Sequence, residues 1–124
     1  MDALTVTIKG ETKELKVSSG VQGIYVLGPN SINGKSYWLQ ESGSNAIWYG
    51  ILGWGIGSKD AMVSSRLASI ISSKYVASPQ LATTWQYFDG SKFTQLEDVL
   101  VEPGTYIFNI KKIQKNIRLI LVLY

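Results

Sequence analysis

Apolar and polar positions alternate with period two over much of this chain, which is the spacing of strands, not helices. Leu4-Thr-Val-Thr-Ile8 alternates cleanly, and Leu15 and Val17 resume the pattern after Gly10. The first segment therefore predicts a hairpin that turns over Lys9-Gly10-Glu11-Thr12, where glycine makes positive φ inexpensive. Gly20-Val21-Gln22-Gly23 interrupts the pattern, a strand follows from Ile24 to Leu27, and Gly28-Pro29-Asn30 interrupts it again. Asn33-Gly34 predicts a type I′ turn, because both of its central residues need positive φ, with strands around Ile32 and Tyr37 to Gln40 beside it. After the loop Glu41-Ser-Gly-Ser-Asn45 come strands at Ala46 to Tyr49 and Trp54 to Ile56, joined through Gly50 to Gly53. Trp85-Gln-Tyr-Phe88, Asp89-Gly90 and Lys92-Phe-Thr94 read as a second hairpin, for which the same turn preference holds. Val99 to Val101, a turn at Pro103-Gly104, and strands at Tyr106 to Ile110 and Ile117 to Tyr124 complete the pattern.

Residues 58 to 74 break the alternation. Ser58 is placed to cap a helix with Asp60 in its first turn, and Val63, Leu67, Ile70 and Ile71 lie at helical spacing. The stretch is rich in Ser, however, which competes for backbone hydrogen bonds and fills helices poorly. The expectation is a strand from Arg66 to Ile71, preceded by at most a short helical turn around 59–65. The chain as a whole reads as an all-β single domain over residues 1–124, a small antiparallel sandwich or partly open barrel built from hairpins. Its centre is an aromatic- and glycine-rich module at 17–102, and the hairpins at 1–17 and 105–124 flank it as an added layer.

At 124 residues the chain is long enough to bury a core without metal or disulfide staples, and it contains no Cys. Lys and Arg number 12 against 9 Asp and Glu, a net charge of +3. The excess is concentrated in Lys111, Lys112, Lys115 and Arg118. Such a cluster can contact phosphates, but a solvated turn between two strands is the simpler account of it, so nucleic acid is an unfavoured partner. The start, Met1-Asp-Ala-Leu-Thr5, is not a secretory signal. The longest apolar run, Leu119 to Tyr124, falls well short of the roughly 20 residues a bilayer needs, so no membrane insertion is expected.

Catalytic chemistry finds little support. There is no His, which removes the commonest general base and metal ligand, and the absence of Cys removes thiolate chemistry. No Ser stands three residues before a Lys, and Ser58-Lys59 and Ser73-Lys74 are adjacent pairs whose side chains diverge on a strand. Glu97 and Asp98 diverge likewise, while Glu41, Asp60 and Asp89 fall in predicted loops. Gly50, Gly53, Gly55 and Gly57 miss both phosphate-loop and dinucleotide spacings and read instead as places where strands bend or pack closely. No catalytic residue, metal ligand or cofactor is expected.

The aromatics remain. In Tyr37-Trp38 and Trp48-Tyr49 the neighbours must face opposite sides of a strand, so one of each pair points outward unless a second layer covers it. An outward aromatic can stack on a sugar or on a partner's apolar surface. Tyr37, Trp38, Trp48 and Tyr49 are therefore the candidate contact residues, whereas Trp54 and Trp85 read as core.

The frame Gln22-Gly-Ile-Tyr25, Asn33-Gly-Lys-Ser-Tyr37, Ile47-Trp-Tyr49, Trp54-Gly-Ile56, Pro79, Trp85 and Val99 covers about two-thirds of the chain. It resembles a small β repeat module of phage virion proteins and some animal multidomain proteins, with Gln22 in place of the usual Asn and Ser36 in place of the usual Pro. The resemblance implies a module for display, attachment or adhesion and implies no catalytic role. The leading expectation is thus a non-enzymatic structural or interaction module that binds protein or glycan through exposed aromatics. A small-ligand-binding barrel and a nucleic-acid-binding β module are the alternatives. Ile117 to Tyr124 is apolar on both faces. It is expected either to close the sheet against the N-terminal hairpin or to pair with another copy in a homo-oligomer.

Overall fold

A computed structural model describes residues 3–8, 19–72, 75–96 and 99–103. The fold is all-β. Among the described residues nine antiparallel strands form one sheet: β1 (Ala3–Ile8), β2 (Gly23–Leu27), β3 (Trp38–Gln40), β4 (Asn45–Gly50), β5 (Gly53–Ser58), β6 (Ile70–Ile71), β7 (Trp85–Phe88), β8 (Phe93–Leu96) and β9 (Val99–Pro103). Their order is β8-β7-β6-β5-β4-β3-β2-β1-β9, so the chain meanders from β1 to β8 and only β9 returns, to pair with β1. That pairing runs from Leu4 opposite Pro103 to Ile8 opposite Val99.

Every strand sends side chains into a single core. Leu4, Val6, Tyr25, Ile47, Trp54, Ile56, Ile70 and Trp85 are sealed there, joined by Leu96 from one edge strand and Val99 and Val101 from the other. Laid flat, nine strands would hold their edges about 38 Å apart at roughly 4.8 Å per strand. Leu96 and Val99 can share one core only because the sheet coils into a nearly closed barrel. The partly open barrel is the expectation that holds, not the sandwich. Its interior is filled by the three tryptophans 38, 54 and 85 together with aliphatic side chains.

β1 contradicts the expectation of an added N-terminal layer. Its residues occupy the sheet between β2 and β9, and Leu4 and Val6 are core. The physical reason is the alternation itself, which gives Leu4, Val6 and Ile8 one apolar face that a sheet interior must cover. The expected return arm around Leu15 and Val17, the basic cluster, and the strands at Tyr106 to Ile110 and Ile117 to Tyr124 lie outside the described residues.

Asn33-Gly34 forms the expected turn. Their φ values are 54° and 77°, and Ile32 and Lys35 exchange backbone hydrogen bonds of 2.9 and 3.1 Å. The arms stop there: a single bridge pair sits at the tip of the β2–β3 connection, and the ladder resumes only at Leu27 opposite Trp38. Asp89-Gly90 also turns between β7 and β8, but not as a type I′ pair, since only Gly90 has positive φ. The Asp89 carboxylate instead accepts from the backbone N–H groups of Ser91 and Lys92, each at 2.9 Å, and so sets the bend itself.

The short helical turn expected around 59–65 is present, and residues 66–69 depart most from expectation. Ser58 caps a single-turn helix, α1 (Lys59–Val63), its hydroxyl accepting from the Ala61 N–H at 3.0 Å. The strand expected from Arg66 is confined to Ile70–Ile71. Between them Ser65 adopts φ 57° and Arg66 donates its N–H to the Ala61 carbonyl at 2.8 Å, which folds the segment back over the sheet. β5 explains why it can lie there. Trp54 and Ile56 point inward, so Gly55 and Gly57 face outward, and a Cβ added at Gly55 would stand 2.6 Å from the Ala68 Cβ. Two outward glycines make a flat floor on which Ala68 rests.

Candidate functional site

The strand alternation predicted correctly that Tyr37 and Trp38, and Trp48 and Tyr49, face opposite sides. What it missed is that both sides are covered. Trp38 joins the barrel core with its ring 5.9 Å from that of Trp54, and it is only 4 % exposed. Trp48 and Tyr37 pack on the outer face with Ala46, Ala61, Met62, Ala68 and Ile71, beneath α1 and the segment that follows it. Tyr37 and Trp38 are therefore corrected from outward contact residues to buried ones, and Trp48, buried as well, keeps only the part of its surface that lines a cavity. Of the four, Tyr49 alone remains partly accessible. Its ring meets Trp54 edge-on at 5.2 Å.

The accessible chemistry gathers around the two-residue turn Ile51-Leu52 between β4 and β5. Gly50 and Gly53 pair across its base, and Ile51 is 81 % exposed at its tip. On the outer side the turn, the β5 floor and the 65–68 segment enclose a cavity of about 270 Å³ lined by Trp48, Leu52, Met62, Arg66, Leu67 and Ile71, with Asn33 at its edge. The Asn33 amide donates to the Tyr49 carbonyl at 2.7 Å, which pins the tip of the type I′ turn against β4. On the inner side of the same turn the Tyr75 hydroxyl donates to the Ile51 carbonyl at 3.1 Å. The Tyr75 ring stands 6.2 Å from that of Tyr49, and the Lys35 ammonium lies 5.5 Å above the Tyr49 ring. One end of the barrel thus presents a cavity of mixed polar and apolar lining and a tyrosine patch on the two sides of one turn.

No carboxylate lines the cavity, and no group of three or more potential metal-ligating side chains occurs among the described residues. Ser72 is completely buried, its hydroxyl without a partner, and so is inaccessible as a nucleophile. Among the described residues no helix is long and apolar enough to cross a membrane.

The opposite end of the same strands is structural. The buried Gln40 side chain donates to the Gly20 and Gln22 carbonyls at 2.8 and 3.0 Å and accepts from the Asn45 N–H at 3.1 Å. The Lys59 ammonium donates to the Gly43 carbonyl at 2.9 Å. These bonds hold the β3–β4 loop.

Sequence reasoning did not single out Arg66, Leu67 or Tyr75. The usable signal was the alternation Trp54-Gly-Ile-Gly57. Two small residues on the outer face demand a covering segment, and whatever covers them borders a cavity. No family model, curated protein or solved structure matches the chain.

Proposed function

We propose that this chain is a non-enzymatic interaction module that engages a protein or glycan partner with the barrel end around the β4–β5 turn. The observation that carries this reading is the convergence there of an open cavity with exposed apolar and aromatic side chains, Ile51 at 81 % and Tyr75 at 67 % exposure. Solvent-facing aromatic and aliphatic groups around a concavity are the usual make-up of a contact site. The filled interior supports a packed module over a barrel with a central ligand cavity. Placement on a viral particle is a proposal that rests on the order of sequence motifs alone.

The test is a titration of isotope-labelled protein with separate sugar, aromatic and short-peptide fragments, followed by amide chemical shifts. Perturbations should cluster on Trp48 to Gly53, Ser65 to Ala68 and Tyr75. Perturbations confined to the far end around Gln40 and Asn45 would overturn the assignment of the site. Sustained turnover of chromogenic ester, phosphate or glycoside substrates would overturn the non-enzymatic reading.

A further inference from the structure

Among the described residues that line the cavity beside the β4–β5 turn, Arg66 alone is charged, beside the neutral polar side chains of Asn33 and Ser65 and the Trp48 indole. Arg66 is exposed and meets no carboxylate among the described residues. The Trp48 indole is distinctive among the four tryptophans. Trp54 donates to the Val76 carbonyl at 2.8 Å, and the Trp38 and Trp85 nitrogens are sealed from solvent without partners. Trp48 is nearly as buried as these, yet its N–H keeps solvent contact and has no acceptor among the described residues. A Cβ at Gly50 would lie 3.6 Å from that nitrogen, so glycine keeps the approach to it open. A cation and an unused N–H donor therefore border one cavity that no acidic side chain lines.

We propose that this cavity binds a small amphiphilic carboxylate. The Arg66 guanidinium takes the carboxylate, the Trp48 N–H supplies a further donor, and Leu52, Met62, Leu67 and Ile71 hold a short apolar group. The inference rests on the interaction-site reading above and adds the chemistry of the ligand. Charge complementarity fixes the sign of the headgroup, because a planar guanidinium pairs with a carboxylate through two parallel hydrogen bonds. An open cavity of about 270 Å³ has room for a headgroup and one branched aliphatic or aromatic group.

The experiment titrates the labelled full chain with isovalerate, its primary amide and acetate, and in a second arm with N-acetylleucine and N-acetylleucinamide. Isovalerate should shift the Trp48 indole N–H and the Arg66 side-chain N–H saturably, with acetate and the amide each about tenfold weaker or more. N-acetylleucine matching or exceeding isovalerate would identify a peptide carboxyl end as the source, and a clear preference for isovalerate would identify a free acid. Arg66→Ala, at an exposed position whose backbone hydrogen bond is retained, should bring the acids down to the level of their amides, with Arg66→Lys between. Equal binding of acid and amide, or acid binding unchanged in Arg66→Ala, overturns the carboxylate assignment while leaving the contact site in place. Acetate as tight as isovalerate reduces the site to a surface ion pair and also overturns it. Silence of the cavity toward every probe overturns it as well, and the fragment titration above then tells whether the contact site falls with it.

Discussion

Trp38 was the residue on which exposure and burial made opposite demands, and its position in the core changes what its removal should do. Trp38→Ala and Trp85→Ala should each cost about 3–5 kcal/mol in urea unfolding, the range for deleting a buried large aromatic. An outward Trp38 would lose far less, so unequal losses would contradict the packing described. Tyr25 makes a second residue-scale prediction. Its hydroxyl is buried and donates to the Val21 carbonyl at 2.5 Å, and burial raises its pKa well above the ordinary 10.0. The unfolded chain releases this proton near its ordinary pKa while the folded chain holds it. The contribution is therefore fully present below that pH and is lost as pH rises toward the folded value. Stability measured at about pH 8 and about pH 11 should fall in the wild type, and Tyr25→Phe should remove that part of the fall while costing about 1 kcal/mol at the lower pH.

At the scale of elements, the outer face of β5 is the informative one. Gly55→Ala sets a methyl group against Ala68 at a distance real side chains do not tolerate, and it should destabilise the protein by about 1–3 kcal/mol. It should also disturb the cavity, so amide shifts across Arg66 to Ala68 are expected to report the change even where the fold survives. The β7–β8 turn carries a pH signature. Hydrogen bonds from the Lys92 and Ser91 backbone, and then from the Ser91 hydroxyl, hold the Asp89 carboxyl below the usual aspartate value of 3.8. A lowered folded pKa stabilises the turn above that value and ceases to do so as pH falls through the folded pKa. The Asp89 carboxyl resonance should titrate late in acid, and the Ser91 and Lys92 amides should move with it.

For the whole molecule, closure depends on the pairing of β1 with β9, which joins residues near the start of the chain to residues about 95 positions later. Sheets held by such distant contacts form slowly and cooperatively, because the long loop must close before its contacts are gained. Removing residues 1–8 strips Leu4, Val6 and Ile8 from the core and leaves both β2 and β9 unpaired on that side. The truncated chain should lose its cooperative thermal transition by circular dichroism. A truncation that melted cooperatively near the full-length temperature would show that the barrel does not need β1.

Strand positions, the Asn33-Gly34 turn and the Ser58 cap followed from sequence, because each depends on a few adjacent residues: side-chain alternation, tolerance of positive φ, and a hydroxyl placed three residues before a free N–H. The inward direction of Trp54 and Trp85 followed too. Which strand β1 joins, whether the outer face of β4 and β5 is wet or covered, and hence whether Trp48 is a contact residue or a cavity wall, did not. Those depend on which distant segments come to lie together, and a period-two pattern fixes only that a side chain faces one side or the other, not what stands opposite it. Arg66 shows the difference most plainly. In sequence it opens an expected strand, and only the flat floor made by Gly55 and Gly57 turns its segment back across the sheet and sets its charge at the edge of the cavity.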